Sequence, residues 1–224
     1  MFGSIIVLAS CQSLVLLLIP ILARSYSIES FSFFASFLFF YSVGSSVATL
    51  RLADAIVKED IKFLSQLNSF LILLSILVSK IFAILYYLFI SSELIISFLL
   101  FITIALFSVS RLFYFNLIRT QSFISGSLVL GGLNVLTAMF QIGFSNYDFG
   151  LVYGLCGAII TLVLFQILFI KISFSSFSVQ RIKMLFKRNQ NYAIYLTAYS
   201  LVGVLKLRAV FLFLGMHPLA GVLF

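Results

Sequence analysis

The sequence predicts an all-α, polytopic bundle of membrane-spanning helices, and three observations carry that reading. Apolar runs close to the ~20 residues that a helix needs to cross ~30 Å of hydrocarbon recur along the chain. Hydrophobic residues make up 63% of the 224 and charged residues 9%, so a water-soluble globule would have almost nothing polar with which to cover itself. Lysine and arginine collect in every second gap between the runs. Continuous runs of this length suit helices, whose backbone groups pair within the segment, and not the alternating ~10-residue strands of a membrane barrel.

The runs cover residues 5–23, 31–50, 63–90, 94–107, 123–144, 151–170 and 192–215, giving about seven spanning helices. The first carries no Lys or Arg in residues 1–4 and is followed by a whole bundle, so it is expected to stay in the mature protein and not to act as a cleaved signal. The fourth is short, and can extend toward Phe113. In the fifth, Asn134, Thr137 and Gln141 form one polar stripe, to be read as inter-helix hydrogen bonding or as cavity lining. Gly150, Gly154 and Gly157 place small residues on one side of the sixth, where backbones can approach closely. After the sixth run, residues 173–186 can form a basic amphipathic helix lying on the membrane, as an interfacial linker or as a lipid or partner contact.

Charge orients the bundle. Arg51, Lys58 and Lys62 follow the second run, Arg111 and Arg119 the fourth, and Lys171, Arg181, Lys183, Lys187 and Arg188 the sixth, whereas the opposite loops hold Arg24 alone. The positive-inside rule then predicts a cytoplasmic N-terminus, with Glu29, Glu93 and Asp148 outside. The net charge of +8 follows from this bias and from attraction to anionic lipid, which makes nucleic acid a poor partner.

Chemistry is sparse. Cys11 and Cys156 lie within apolar runs and His217 is the single histidine, so no metal cluster or redox pair is expected. The acids are too scattered for paired general acid-base work, and the outer loops are too short for a catalytic domain. The expectation is a non-enzyme without cofactor, with binding and movement favoured over bond-making.

Three cations fall deep in the runs: Lys80 in the third, and Lys206 and Arg208 in the seventh. Lys80 is roughly 15 Å from the outer end of its run, Lys206 roughly 13 Å and Arg208 roughly 10 Å. An intramembrane cation costs ~2.5–3.5 kcal/mol even on lenient scales and faces a wet cavity or a partner unless its side chain can snorkel to the surface. Lys206 and Arg208 point about 200° apart on a helix and cannot share one wall. Asp54 is the nearest carboxylate partner. A positive cavity of this kind suits an anionic substrate.

Two junctions carry a resemblance. The segment 20–31, Pro-Ile-Leu-Ala-Arg-Ser-Tyr-Ser-Ile-Glu-Ser-Phe, is similar to the end of the first helix in bacterial oligosaccharide flippases, a pattern like P-I-L-T-R-L-Y-S-P-E-D-F. Leu50-Arg51-Leu52-Ala53-Asp54-Ala55-Ile56-Val57 resembles that family's L-R-Y-E-D-A-I-V, and 137–143 with 150–157 and 215–224 fit more loosely. The chain thus resembles the O-antigen and polysaccharide flippase branch of the multidrug/oligosaccharidyl-lipid/polysaccharide transporter superfamily.

That resemblance implies alternating access between two helical lobes, moving undecaprenyl-pyrophosphate-linked sugar repeats across the bacterial inner membrane, with polysaccharide polymerase or assembly proteins as neighbours. It implies a six-helix lobe over 1–172, a cytoplasmic basic linker over 173–191 and the start of a truncated second lobe over 192–224. Arg24 matches the family's arginine, whereas Ala53 and Ser30 depart from its acids. The candidate substrate-binding set is therefore Arg24, Lys80, Lys206, Arg208, Asn134 and Gln141. The competing readings are a cation-coupled small-molecule exporter of the same superfamily, a membrane sugar polymerase or transferase, and an inactive remnant. Intramembrane cations in place of carboxylates rank the exporter lower.

Overall fold

A computed structural model of the chain describes residues 2–57, 61–90, 93–120, 123–170, 179–190 and 192–215. Its helices are α1 (Phe2–Ser25), α2 (Ile28–Ala48), α3 (Ile61–Phe89), α4 (Leu94–Arg119), α5 (Phe123–Gly143), α6 (Gly150–Phe169), α7 (Val179–Arg188) and α8 (Thr197–Gly215). A 3-10 helix, Leu52–Val57, joins α2 to α3, and a π-helical turn, Tyr192–Leu196, leads into α8. No strand occurs among the described residues. The protein is an all-α membrane helical bundle, in which α1 to α6 are long and apolar enough to span a bilayer. The seventh apolar run becomes the π-turn and α8, with Ala193–Lys206 as a shorter apolar helix.

Sequence explains the boundaries. Ser27 caps α2 by accepting a hydrogen bond from the Ser30 N–H at 3.2 Å. The predicted fourth run stopped too early. Apolar residues continue past Phe107 through Leu112, Phe113, Phe115, Leu117 and Ile118, so α4 runs on to Arg119. Arg111, assigned to a loop by its charge, is therefore a helical residue. Asp54 pairs with it, which offsets the cost of placing it there. Of the basic linker, Val179–Arg188 is helical, and the remainder of 173–186 lies outside the described residues, as do Lys58, Lys171 and His217.

Helix α6 sits against α2, α4 and α5, while α1 lies at one edge against α5 and α8 at another against α2. The middle of the bundle is closely packed. Phe37, Tyr86, Ile96, Leu100, Ile104 and Ile159 are fully enclosed. Tyr86 meets Phe37 and Phe40 edge-to-face at 6.0 and 5.3 Å, a geometry that aligns ring edges with ring faces. In lipid an unpacked side chain still has an apolar surrounding, so close packing and not transfer from water holds such helices together. Glycine allows that closeness. A Cβ on Gly154 would lie 2.4 Å from Cγ of Gln141 and 2.6 Å from its backbone N, and one on Gly157 would press Phe140 at 3.2 Å. The glycine side of α6 is thus the α5 interface.

Candidate functional site at the basic end

The end of the bundle that holds Arg51, Arg111 and Arg119 is built on an unusual turn. Leu50 and Arg51 have φ of 45° and 54°, two successive side-chain-bearing residues in the left-handed region. Each such residue costs ~1–2 kcal/mol. The turn is held from several directions. Leu50 N–H donates to Val47 O at 2.8 Å, Leu52 N–H to Thr49 O at 2.9 Å and Asp54 N–H to Arg51 O at 3.0 Å. Leu52, Ala53, Ala55 and Ile56 are buried, with Leu52 and Ile56 packed among Leu67, Leu71, Leu112 and Ala193.

This anchoring places Asp54 between two guanidinium groups. One Asp54 oxygen lies 3.4 Å from Arg51 Nη1, and the other accepts from Arg111 Nη2 at 3.2 Å. Arg111 also lies over the Phe115 ring, 5.7 Å from its centroid. Further along α4, Arg119 donates to the carbonyl of Ile56 at 3.2 Å, tying the other end of the 3-10 helix to the same helix. One carboxylate faces two cations, so the node keeps surplus positive charge. The buried Nε–H of Arg51 has no acceptor. Such a node can attract an anion and can lock the α2–α3 junction to α4. Among the described residues, no group of three or more His, Cys, Asp or Glu could hold a metal ion.

The residues singled out in the sequence are spread around the bundle. Arg24 is exposed in the last turn of α1. Lys80 is exposed on α3, at an apolar groove of about 550 Å³ formed with α4 and lined by Ile84, Tyr87, Leu94, Phe98 and Phe101. Lys206 is exposed on α8, and the side chain of Arg208 lies outside the described residues. Asn134 is exposed on α5, Thr137 bonds the Leu133 carbonyl of its own helix, and Gln141 is buried. The polar stripe is therefore divided. Gln141 Nε2 donates to Leu151 O of α6 at 3.0 Å, and the backbone carbonyl of Gln141 accepts from the Tyr26 hydroxyl. Burial raises the pKa of Tyr26, which keeps it a neutral donor.

Arg51, Asp54 and Arg111 form the cluster that residue-by-residue reading of the sequence missed. The available signal was Asp54 itself, a carboxylate three residues from Arg51 at a helix junction, with another arginine in a later run. Both junction segments quoted for the family resemblance make long-range contacts, Tyr26 to α5 and Asp54 to α4. Comparison with protein-family models, curated proteins and solved structures gives no match.

Proposed function

We propose that this chain is part of a membrane transporter that moves an anionic, lipid-linked oligosaccharide between leaflets, as a flippase of surface-polysaccharide assembly in the bacterial inner membrane. The observation that carries the reading is the segment Leu50–Val57. It bears the flippase-like pattern, and its Asp54 forms the ion-paired junction with Arg51 and Arg111. Ion pairs beside the apolar packing of this junction can exchange their partners for water, so that the junction separates and re-forms as alternating access between leaflets requires. The surplus cation at the node, with Arg24, Lys80 and Lys206 exposed on other helices, fits an anionic cargo better than a cationic one. The basic residues gathered at one end support a cytoplasmic N-terminus.

Deletion of the gene in its host tests this reading. The expected result is loss of surface polysaccharide and accumulation of lipid-linked repeats on the inner leaflet, restored by the intact gene. Arg24→Gln and Lys206→Gln should then lower export at unchanged protein level. Normal surface polysaccharide in the deletion strain would contradict the proposal.

A further inference from the structure

Helix α7 carries charges of one sign only. Within Val179–Arg188 stand Arg181, Lys183, Lys187 and Arg188, and no acid. By helical spacing the apolar positions 179, 182, 185 and 186 share one arc of about 120°, and the four cations fall in the remaining arc. Lys183, Met184, Phe186, Lys187 and Arg188 are exposed.

The fold sets where this helix lies. Helix α5 leaves the end that holds Arg119 and α6 returns to it, so α7 follows α6 at the basic end of the bundle. There α7 touches α3, and the π-turn after it touches the 3-10 helix Leu52–Val57. The sequence segments at this end carry Arg51, Lys58, Lys62, Arg111, Arg119, Lys171 and the four cations of α7 against three acids, Asp54, Glu59 and Asp60. The chain therefore supplies too few anions for its own cations. Four cations in ten residues do not suit a spanning segment, and a ten-residue helix is marginal in water by itself. A helix with one apolar and one basic arc gains most at the boundary between hydrocarbon and phosphate, where both arcs find a match.

We propose that α7 binds the surface of an anionic phospholipid leaflet at the basic end of the bundle, with Phe186 in the hydrocarbon and Lys183 and Lys187 against lipid phosphates. An acidic protein would answer the cations and leave the apolar arc unmatched, whereas negatively charged headgroups with acyl chains beneath them answer both. The π-turn makes α7 continuous with α8, so a lipid surface that holds α7 also fixes the start of α8 beside the Leu52–Val57 junction. This inference needs only that the bundle spans a membrane, and it stands whatever cargo the bundle moves.

The chain contains no tryptophan, so Phe186→Trp or Met184→Trp supplies a single fluorescent reporter. The test places the full chain in vesicles of phosphatidylcholine, brominated near the top of its acyl chains, with or without about 30% phosphatidylglycerol. Exposure alone ranks position 184 above 186, at 52% against 37%. The proposed orientation reverses that order. In the anionic vesicles the reporter at 186 should be quenched more strongly than the one at 184, and the excess should disappear in phosphatidylcholine alone. Lys183→Gln with Lys187→Gln should shift the balance away from the surface about 25-fold, about fivefold for each lysine, and remove the excess, while Lys183→Arg with Lys187→Arg retains it. Equal quenching at the two positions, the same quenching in both vesicles, or quenching at neither, as for a helix turned toward an acidic protein, would overturn the proposal. The comparison of vesicles needs no change beyond the reporter, and so does not depend on the folding of the lysine variants.

Discussion

Arg111 and Lys80 are both cations within spanning helices, yet their surroundings differ. Arg111 is largely buried, with Asp54 on its guanidinium and Phe115 beneath it. Lys80 stands exposed at the edge of an apolar groove, with no anion among the residues that line the groove with it. The difference lies in the backbone around each. A strained turn, Leu50–Arg51, delivers a carboxylate to Arg111, whereas the neighbours of Lys80 on α4 are Leu94, Ser97, Phe98 and Phe101. A charge in a membrane helix can thus be held by a dedicated loop or left to its own long stem, and only the first arrangement ties elements of the fold together.

Removal of Asp54 makes the first region resemble the second, and should have the largest effect. Asp54→Asn leaves Arg51 and Arg111 uncompensated and is expected to cost about 3 kcal/mol, at the low end for a broken buried pair because Asp54 keeps 20% exposure. Unfolding of the purified chain by sodium dodecyl sulfate, followed by circular dichroism, measures it. Arg111→Gln should cost less, about 1–2 kcal/mol, since Arg51 still neutralises Asp54. A larger loss from Arg111→Gln than from Asp54→Asn would reverse the assigned roles.

Apolar packing offers a control away from both charges. Gly154→Ala forces a Cβ to within 2.4 Å of Gln141 and should cost about 1–3 kcal/mol by overpacking. The same unfolding assay should register that loss without any change in its salt dependence, in contrast to the node variants.

The Lys80 region can be moved toward the Arg111 arrangement. Ser97 lines the same groove, so Ser97→Asp should be tolerated better by about 1 kcal/mol when Lys80 is present than in a Lys80→Met background. Equal cost in both backgrounds would place Lys80 out of reach. Lys80→Met alone should stay within about 0.5 kcal/mol. Loss of polysaccharide export in that variant at normal stability would give Lys80 a functional role that its packing lacks.

The smallest effect concerns Tyr26. Its raised pKa means that its contribution is fully present below the ordinary phenol value of about 10 and is lost as pH rises through the folded-state value. Tyr26→Phe should therefore lower stability by about 1 kcal/mol at pH 7 and remove this alkaline dependence.

Most of the helix plan was legible because length and hydropathy encode it directly. The apolar runs over 31–50, 123–144 and 151–170 correspond to α2, α5 and α6 within a few residues. Run 94–107 fell short of Arg119 because a single arginine reads as a boundary when its partner is distant in sequence. Asp54 and Arg111 are 57 residues apart, so no local pattern joins them. The left-handed turn was equally hidden, since Leu50 and Arg51 are neither glycine nor asparagine and adopt that backbone only under tertiary restraint. Gln141 stood out as polar within an apolar run, but sequence could not tell its cross-helix bond to Leu151 from a role in a cavity.

A double-mutant cycle between Asp54 and Arg111 tests the ion-paired junction most directly. The unaltered chain, Asp54→Asn, Arg111→Gln and the double variant would be unfolded under one set of low-salt conditions. The junction described here predicts a coupling of about 1–2 kcal/mol, with the double variant more stable than the sum of the single losses implies. Additivity within about 0.5 kcal/mol would show that the two side chains do not sense one another, and would contradict the ion-paired junction.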